Sequence, residues 1–402
     1  MSHTGAASRP LLAHVTTTDV SLELLLGPQL EAFAAAGYDV VGISAPGPYV
    51  DALARRGIRH VPLQHATRAF APVDDARALA ELVGVFRRLR PAIVHTHNPK
   101  PGVYGRVAAR AARVPVVVNT VHGLYAQPGD RWAKRATVYS MERIASLCSH
   151  AELVQNPEDV ETLARLGVPR RKLTVLGNGI DLTRFDPATV TLDAAAAARA
   201  EMGACGPDDI VVGLVGRLVR EKGYLDVFAA AEQLRARNPS VRIAVIGAEE
   251  SEKGDALTPA DRARADRAGV RFLGERSDVV RLYAGMDVHV LASHREGFPR
   301  SPMEAAAMGK PVVATNIRGC REVVEHDVTG LLVPVRDPSG LADAIETLAR
   351  DGDLRRRFGA AAREKARRDF DDRRCVQITL DFLSAGWASP YTVRELQILL
   401  TH

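Results

Sequence analysis

Residues 291–311 read Leu-Ala-Ser-His-Arg-Glu-Gly-Phe-Pro-Arg-Ser-Pro-Met-Glu-Ala-Ala-Ala-Met-Gly-Lys-Pro, and the reading of this stretch decides the fold. The apolar run Val288 to Leu291 that leads into it has the length and branching of a buried strand. Gly297 and Pro299 turn the chain, and an Ala- and Met-rich helix follows and stops at Gly309. Pro302 fits the first helical turn, where a missing N–H costs nothing. A helix start beyond the carboxyl end of a strand is where open parallel sheets bind ligands. Its unpaired N–H groups suit a phosphate. Two carboxylates frame the turn, Glu296 on the loop and Glu304 in the expected first helical turn, with seven residues between them. A carboxylate beside a phosphate is costly unless it has its own hydrogen-bond donors. Sugar hydroxyls are such donors, so a ligand with phosphates in the middle and polyols at both ends, a nucleotide sugar, satisfies the pattern. The plainer alternative has Glu304 complementing the helix dipole and Glu296 solvated on its loop.

Outward from this stretch, short apolar runs alternate with longer helical ones, the pattern of a parallel sheet. In the second half, strands are expected at 210–215, 242–246, 270–273, 288–291, 311–314 and 331–333. Helices are expected at 223–237, 258–268, 279–284 and 339–350, and 188–204 reads as an Ala-rich helix or tether. The first half repeats the alternation, with strands at 11–15, 40–44, 93–97, 116–121 and 173–176. A turn is expected through Thr16–Asp19, and helices at 21–36, 49–56, 76–89, 102–112 and 131–149. The expected organisation is α/β, with a first domain at 1–182 and a second at 183–370. Residues 371–402 form a helix crossing back to the first domain, plus a tail that matches no pattern beyond Ser384. Two such halves in series form a cleft.

A chain of 402 residues exceeds one ordinary core, which makes two domains the default. Hydrophobic residues at 46% and charged residues at 25% give a globular composition. Residues 1–182 carry 21 Lys and Arg against 15 Asp and Glu, and the remainder 32 against 33. The basic first half suits an anionic membrane or acceptor as well as it suits a plain solvated surface. Cys148, Cys205, Cys320 and Cys375 are far apart and form no CxxC pair, which reads as free thiols in a reducing compartment. No window is apolar enough for a membrane span, and the polar start gives no signal-peptide pattern. A cytoplasmic protein is expected, open to peripheral attachment on the inner face of the membrane. No nucleic-acid partner is indicated.

Gly216-Arg217 leaves a strand, and Lys222-Gly223 follows within a turn. Arg217 can grip phosphate oxygens bidentately and Lys222 can act as a point charge. Two cations facing a diphosphate can take the place of a divalent metal at a leaving group; two exposed surface charges are the alternative. His122 closes a strand before Gly123, and His95 and His97 end a neighbouring one. His-x-His puts two rings on one strand face, but no carboxylate or Cys lies nearby in sequence to complete a zinc site. Asp351, Asp353, Asp369, Asp371 and Asp372 have magnesium-like spacing in charged late segments and read as solvated. Phe272-Leu273-Gly274 ends a strand, so the Glu275–Asp278 loop can border a base. No GxGxxG follows the first strand, which disfavours a dinucleotide oxidoreductase.

Taken in order, Gly216-Arg217, Lys222-Gly223, Phe272-Leu273-Gly274, Glu296-x7-Glu304, Gly309-Lys-Pro-Val-Val-Ala-Thr, Gly319-Cys-Arg-Glu322 and Gly330-Leu-Leu-Val-Pro resemble the retaining glycosyltransferases of family 4, of the GT-B fold. The likeness runs to about residue 380. The Gly-Phe-Pro-Arg-Ser motif, Asn98-Pro99-Lys100 and Thr-Val-His-Gly at 120–123 resemble enzymes that build surface polysaccharides and lipid-linked oligosaccharides. The resemblance implies that Arg217 and Lys222 bind the donor diphosphate, Glu304 the ribose hydroxyls and Glu296 the transferred sugar. It puts His122 at an outer hydroxyl of that sugar, its backbone carbonyl facing developing oxocarbenium charge. Gly216, Gly274, Arg276, Gly297, Phe298, Arg300 and Ser301 complete the implied donor site. It implies no cofactor and no metal, a hexose or N-acetylhexosamine moved from a UDP- or GDP-sugar with retention, and a polyprenyl-diphosphate-linked saccharide as acceptor. The helix begun by Trp132, Lys134 and Arg135 is expected to rest on the bilayer. Pro299 stands where many relatives have Gly, and Thr16-Thr17-Thr18-Asp19 replaces the family's Gly-rich turn. A UDP-sugar 2-epimerase of the same fold, a transferase acting on a soluble natural product, and a nucleotide-sugar sensor remain alternatives.

Overall fold

The computed structural model describes residues 9–388, except 70, 98, 128 and 251–253, with side chains described to 383. The first sheet holds β1 (Leu11–Thr18), β2 (Asp39–Ala45), β3 (Arg59–Pro62), β4 (Ile93–His97), β5 (Val116–Val121), β6 (Ala151–Val154) and β7 (Leu173–Val175). Its order is β3-β2-β1-β4-β5-β6-β7, every pairing parallel. The second holds β8 (Ile210–Val215), β9 (Val241–Ile246), β10 (Arg271–Phe272), β11 (Val288–Leu291), β12 (Val312–Thr315) and β13 (Gly330–Val333). Its order is β10-β9-β8-β11-β12-β13, again all parallel. Both orders reverse direction once, between β1 and β4 and between β8 and β11. Such reversals leave a crevice outside the strand carboxyl ends.

The central strands are near-continuous apolar runs because helices cover both faces of a parallel sheet. β5, Val-Val-Val-Asn-Thr-Val, is buried at all its positions. In the second unit one core packs Val212, Leu214, Phe228, Val245, Val290 and Ile345, and a separate one packs Val211, Ile246, Leu291, Met303, Val312 and Phe370.

The chain divides at 177 rather than near 182. One unit ends at Gly177 and resumes at Cys375; the other is Asn178–Arg374. The reason is local pairing. Ile180 N–H donates to the Phe370 carbonyl at 2.9 Å, and the Asp372 N–H donates to the Ile180 carbonyl at 3.2 Å. A Cβ on Gly179 would lie 2.4 Å from the Asp372 Cα, so only glycine lets these strands of chain touch. The helix Asp372–Ala388 then packs Cys375, Phe382 and Leu383 into the core of Leu12, Leu30, Phe33 and Val118 in the first unit. The tail beyond Ala388 lies outside the described residues, as does Asn98 of the Asn98-Pro99-Lys100 motif.

Several sequence expectations need correction. Thr16 to Thr18 continue β1 instead of turning, and the helix expected at 21–36 is a π-helical turn, Ser21–Leu25, followed by Gly27–Ala35. β3 is short, polar and closed by Pro62, an edge strand without an apolar signature. β6 and the helix Pro157–Arg165 were also unforeseen. β6 carries Glu152, and a strand with a charge reads as surface. Here that charge is buried: Glu152 Oε1 accepts from Arg106 Nη1 at 2.7 Å, Glu142 Oε2 accepts from Arg106 Nη2 at 2.6 Å, and Glu152 Oε2 accepts from Asn119 Nδ2 at 2.7 Å. Asp351 and Asp369, read as solvated, bound a helix, Gly352–Asp369, whose Leu354 N–H donates to Asp351 Oδ1 at 2.8 Å. The Ala-rich segment is a helix only over Leu192–Glu201, started by Thr191.

Candidate active site

At the reversal between β8 and β11, two loops leave the same sheet edge. The 216–223 loop follows β8 and the 292–299 loop follows β11. Lys222 Nζ donates to Glu296 Oε1 at 2.6 Å, and Ser293 Oγ donates to the same oxygen at 2.7 Å. The approach depends on Gly223. Its φ is +74°, and a Cβ there would stand 1.9 Å from the Ala292 carbonyl oxygen. Further bonds stitch the loops together. His294 N–H donates to the Glu221 carbonyl at 2.8 Å, and the His294 ring is 2.7 Å from Asp226 Oδ2. A Cβ on Gly319 would lie 2.5 Å from the Gly297 carbonyl oxygen, so the 319 turn backs directly onto the Glu296–Gly297 peptide.

Arg217 turns outward to Glu250, 3.3 Å away. Tyr224 holds the start of the 216–223 loop: its hydroxyl donates to the Gly216 carbonyl at 2.8 Å. Burial pushes that hydroxyl's pKa up; Arg217 pulls it down and Glu296 pushes it up, so both charges act on one atom. Gly274, at φ +70°, turns its carbonyl to the Gly247 N–H at 2.8 Å, beside the same edge.

Glu304 stands in the second turn of its helix, not the first, because Pro299 is extended and the helix starts at Arg300. The Tyr283 hydroxyl lies 2.9 Å from Glu304 Oε2 and 3.1 Å from the Ser301 carbonyl oxygen. Burial raises the Glu304 carboxyl, against the opposing pull of Arg300, the Tyr283 hydrogen bond and Arg184. Phe298 offers its carbonyl to Asn178 Nδ2 at 2.9 Å, and its ring meets Phe370 edge-on. Arg276 is engaged elsewhere. It forks onto Asp278 at 2.9 and 2.8 Å and also bonds Glu201, which Arg281 shares at 2.6 Å.

His122 follows β5 in the first unit and joins a row of rings. His14 Nδ1 is 3.2 Å from His97 Nε2, and His97 Nδ1 is 3.0 Å from His122 Nε2. His95 Nε2 is 2.7 Å from Thr120 Oγ1. His14 was missed from sequence. It lies on β1 opposite His95 in the parallel register, a pairing no local pattern announces. Burial lowers His14 to about 3 and His122 to about 4, and holds His95 and His97 well below the usual histidine range. His14, His95 and His97 each offer a nitrogen within 4.8 Å of the others, a spacing open to a metal ion. Asp19, on the turn after β1, accepts from the Tyr49 N–H at 2.7 Å and the Val20 N–H at 2.9 Å, so it caps backbone.

Comparison with known proteins adds to this geometry. The model described as glycosyl transferases group 1 matches residues 204–365, and that of a glycosyl transferase 4-like domain matches 26–179. The capsular polysaccharide biosynthesis glycosyltransferase CapM of Staphylococcus aureus is 28% identical over 89% of this chain and 92% of its own. A UDP-Gal:alpha-D-GlcNAc-diphosphoundecaprenol alpha-1,3-galactosyltransferase of Escherichia coli is 29% identical over 71% and 73%. A D-inositol 3-phosphate glycosyltransferase of Saccharomonospora viridis is 30% identical over 83% and 80%. Among solved structures, Anabaena HepE in complex with UDP and glucose superimposes with a TM-score of 0.77 at 21% identity, covering 94% of this chain and all of that one.

Proposed function

The chain belongs to the group 1 glycosyltransferases with the GT-B fold, and from that premise we propose that it moves a hexose or N-acetylhexosamine, with retention, from a UDP- or GDP-sugar to a polyprenyl-diphosphate-linked saccharide. The observation that carries the donor half is the Lys222–Glu296 contact at the β8/β11 reversal. A cation for phosphate and a carboxylate for sugar hydroxyls meet at one atom pair there. Lys222 and Arg217 neutralise the departing diphosphate without a metal. Glu304, oriented by Tyr283, accepts from the ribose hydroxyls, and Glu296 accepts from hydroxyls of the transferred sugar. The bond from the anomeric carbon to the phosphate oxygen breaks. The acceptor oxygen bonds on the same face, and its proton passes to the leaving phosphate oxygen. His122 serves turnover from the first unit.

Two of the relatives act in capsule synthesis or on a diphosphoundecaprenol saccharide, which supports the acceptor class. The helix Trp132–Ala145 supports a membrane-side acceptor by a route other than charge. Lys134 is paired with Asp130 at 3.2 Å and lies over the Tyr125 ring, while Trp132 (80%) and Ile144 (61%) on the helix, and Leu147 (62%) just past its end, are exposed. Exposed apolar side chains of this kind suit the boundary between headgroups and acyl chains. Calorimetric titration with UDP, GDP, ADP and dTDP, then a sugar panel on the preferred nucleotide with a lipid-linked acceptor, tests the reading. A donor epimerised without acceptor, or no nucleotide bound, defeats it.

A further inference from the structure

Three imidazoles in the first unit form an unbroken row from the middle of β1 to the residue after β5. His14 Nδ1 faces His97 Nε2 at 3.2 Å, and His97 Nδ1 faces His122 Nε2 at 3.0 Å. A neutral imidazole has one N–H and one lone pair, so the bond made by one nitrogen fixes what the other can do. With two hydrogen bonds along three rings, the protons must all point the same way, and only two orders exist. In one, His14 donates to His97 and His97 donates to His122. In the other, His122 donates to His97 and His97 donates to His14.

The far end of the row separates them. His14 is fully buried, stacked on Phe33 with ring centroids 5.3 Å apart, and its Nε2 has no partner among the described residues. The first order leaves a lone pair at that nitrogen. The second leaves a buried N–H with no acceptor among the described residues, and orphaned buried N–H groups are the rarer and costlier defect. We infer that His14 and His97 are positioning residues: they send the proton order outward from β1 and lock His122 as the Nδ1–H tautomer with Nε2 accepting. His95 obeys the same rule. Its Nε2 bonds Thr120 Oγ1 and its Nδ1 has no partner among the described residues, so its proton sits on Nε2. The Gln155 side chain also bonds the His122 ring. With Nε2 occupied by the His97 N–H, His122 is a fixed neutral group and not a proton shuttle. Its ring then holds the backbone at His122 and Gly123 still.

The effect on turnover rests on the assignment of His122 made above; the proton order does not. The test therefore has two arms. Long-range nitrogen–proton NMR on the histidine-labelled full chain at pH 7.5 should show Nδ1–H tautomers for His14, His97 and His122, and Nε2–H for His95. An Nε2–H signal from His14 or His97 overturns the order. So does one equivalent of zinc or nickel retained by the purified protein, since a metal held by His14, His95 and His97 would take those lone pairs. In the second arm, His97→Leu should give His122 mixed tautomers and lower kcat about tenfold with donor KM nearly unchanged. His97→Asn, whose amide N–H stands in for Nδ1–H, should restore both. Failure of that rescue in a folded variant overturns the positioning role. Ordered tautomers with wild-type turnover in His122→Ala would instead overturn the part given to His122 and leave the order standing.

Discussion

Lys222 and Glu296 each neutralise the other, at 2.6 Å and partly buried. On the proposed reading, a diphosphate replaces Glu296 as the partner of Lys222, and sugar hydroxyls replace Lys222 as the partner of Glu296. Removing either residue therefore acts differently on binding and on turnover. Lys222→Ala should weaken the preferred nucleoside diphosphate by about 2 kcal/mol, roughly 30-fold, as expected for lost charge-assisted bonds. Glu296→Ala should leave that affinity equal or tighter, because Lys222 is released, while kcat falls by about 100-fold. Calorimetry on both variants with steady-state rates decides; equal loss of affinity in the two would separate Glu296 from the sugar. Gly223 is the steric condition for the pair. Gly223→Ala forces a Cβ to within 1.9 Å of a carbonyl oxygen at a positive φ, so it should cost about 2–4 kcal/mol in a urea melt. A melt indistinguishable from the wild type would show that the loops can part.

At the scale of elements, the helix Trp132–Ala145 is anchored from inside and bare outside. Glu142 on its inner face is buried against Arg106, and Trp132, Met141, Ile144 and Leu147 are exposed. A buried ion pair holds geometry more than it adds stability, since desolvation offsets most of its attraction. These exposed side chains are the ones the proposed bilayer contact would use. Trp132→Ser with Ile144→Ser should abolish flotation with vesicles and leave the melt within about 0.5 kcal/mol, as surface changes do. Flotation should persist on zwitterionic vesicles, because Lys134 is already paired with Asp130. Binding seen solely with anionic lipid would return the weight to charge.

For the whole molecule, acid should be the weak direction. His14, His95, His97 and His122 are buried neutral in the first unit, and His289 in the second, lowered to about 3. Their folded pKa values are depressed, so their contribution is complete above about 6.5 and is lost as pH falls toward the folded values. Each ring costs about 1.4 kcal/mol for every pH unit below 6.5 until its folded pKa is reached. The carboxyls of Glu142, Glu304 and Asp372, raised by burial, work the other way but are fewer than the rings. The unfolding free energy from urea melts should drop by several kcal/mol between pH 7.5 and 5.5, and the midpoint with it. Identical midpoints would mean that the rings are hydrated or already charged.

The alternation of strands and helices, and the placing of Gly216, Arg217, Lys222 and Glu296 after strands, were legible in the amino-acid sequence because both are local. Helical and extended periods, turn glycines and the residues after a strand are properties of neighbours along the chain. The tertiary structure alone decided which distant groups meet. Lys222 reaches Glu296 across 74 positions and His14 reaches His97 across 83, through strand order and register that no window of sequence contains. It also decided where charge is hidden. Glu152 and Glu142 look like surface residues until Arg106 is found between them, because a buried charge differs from a solvated one in its partners and not in its letter.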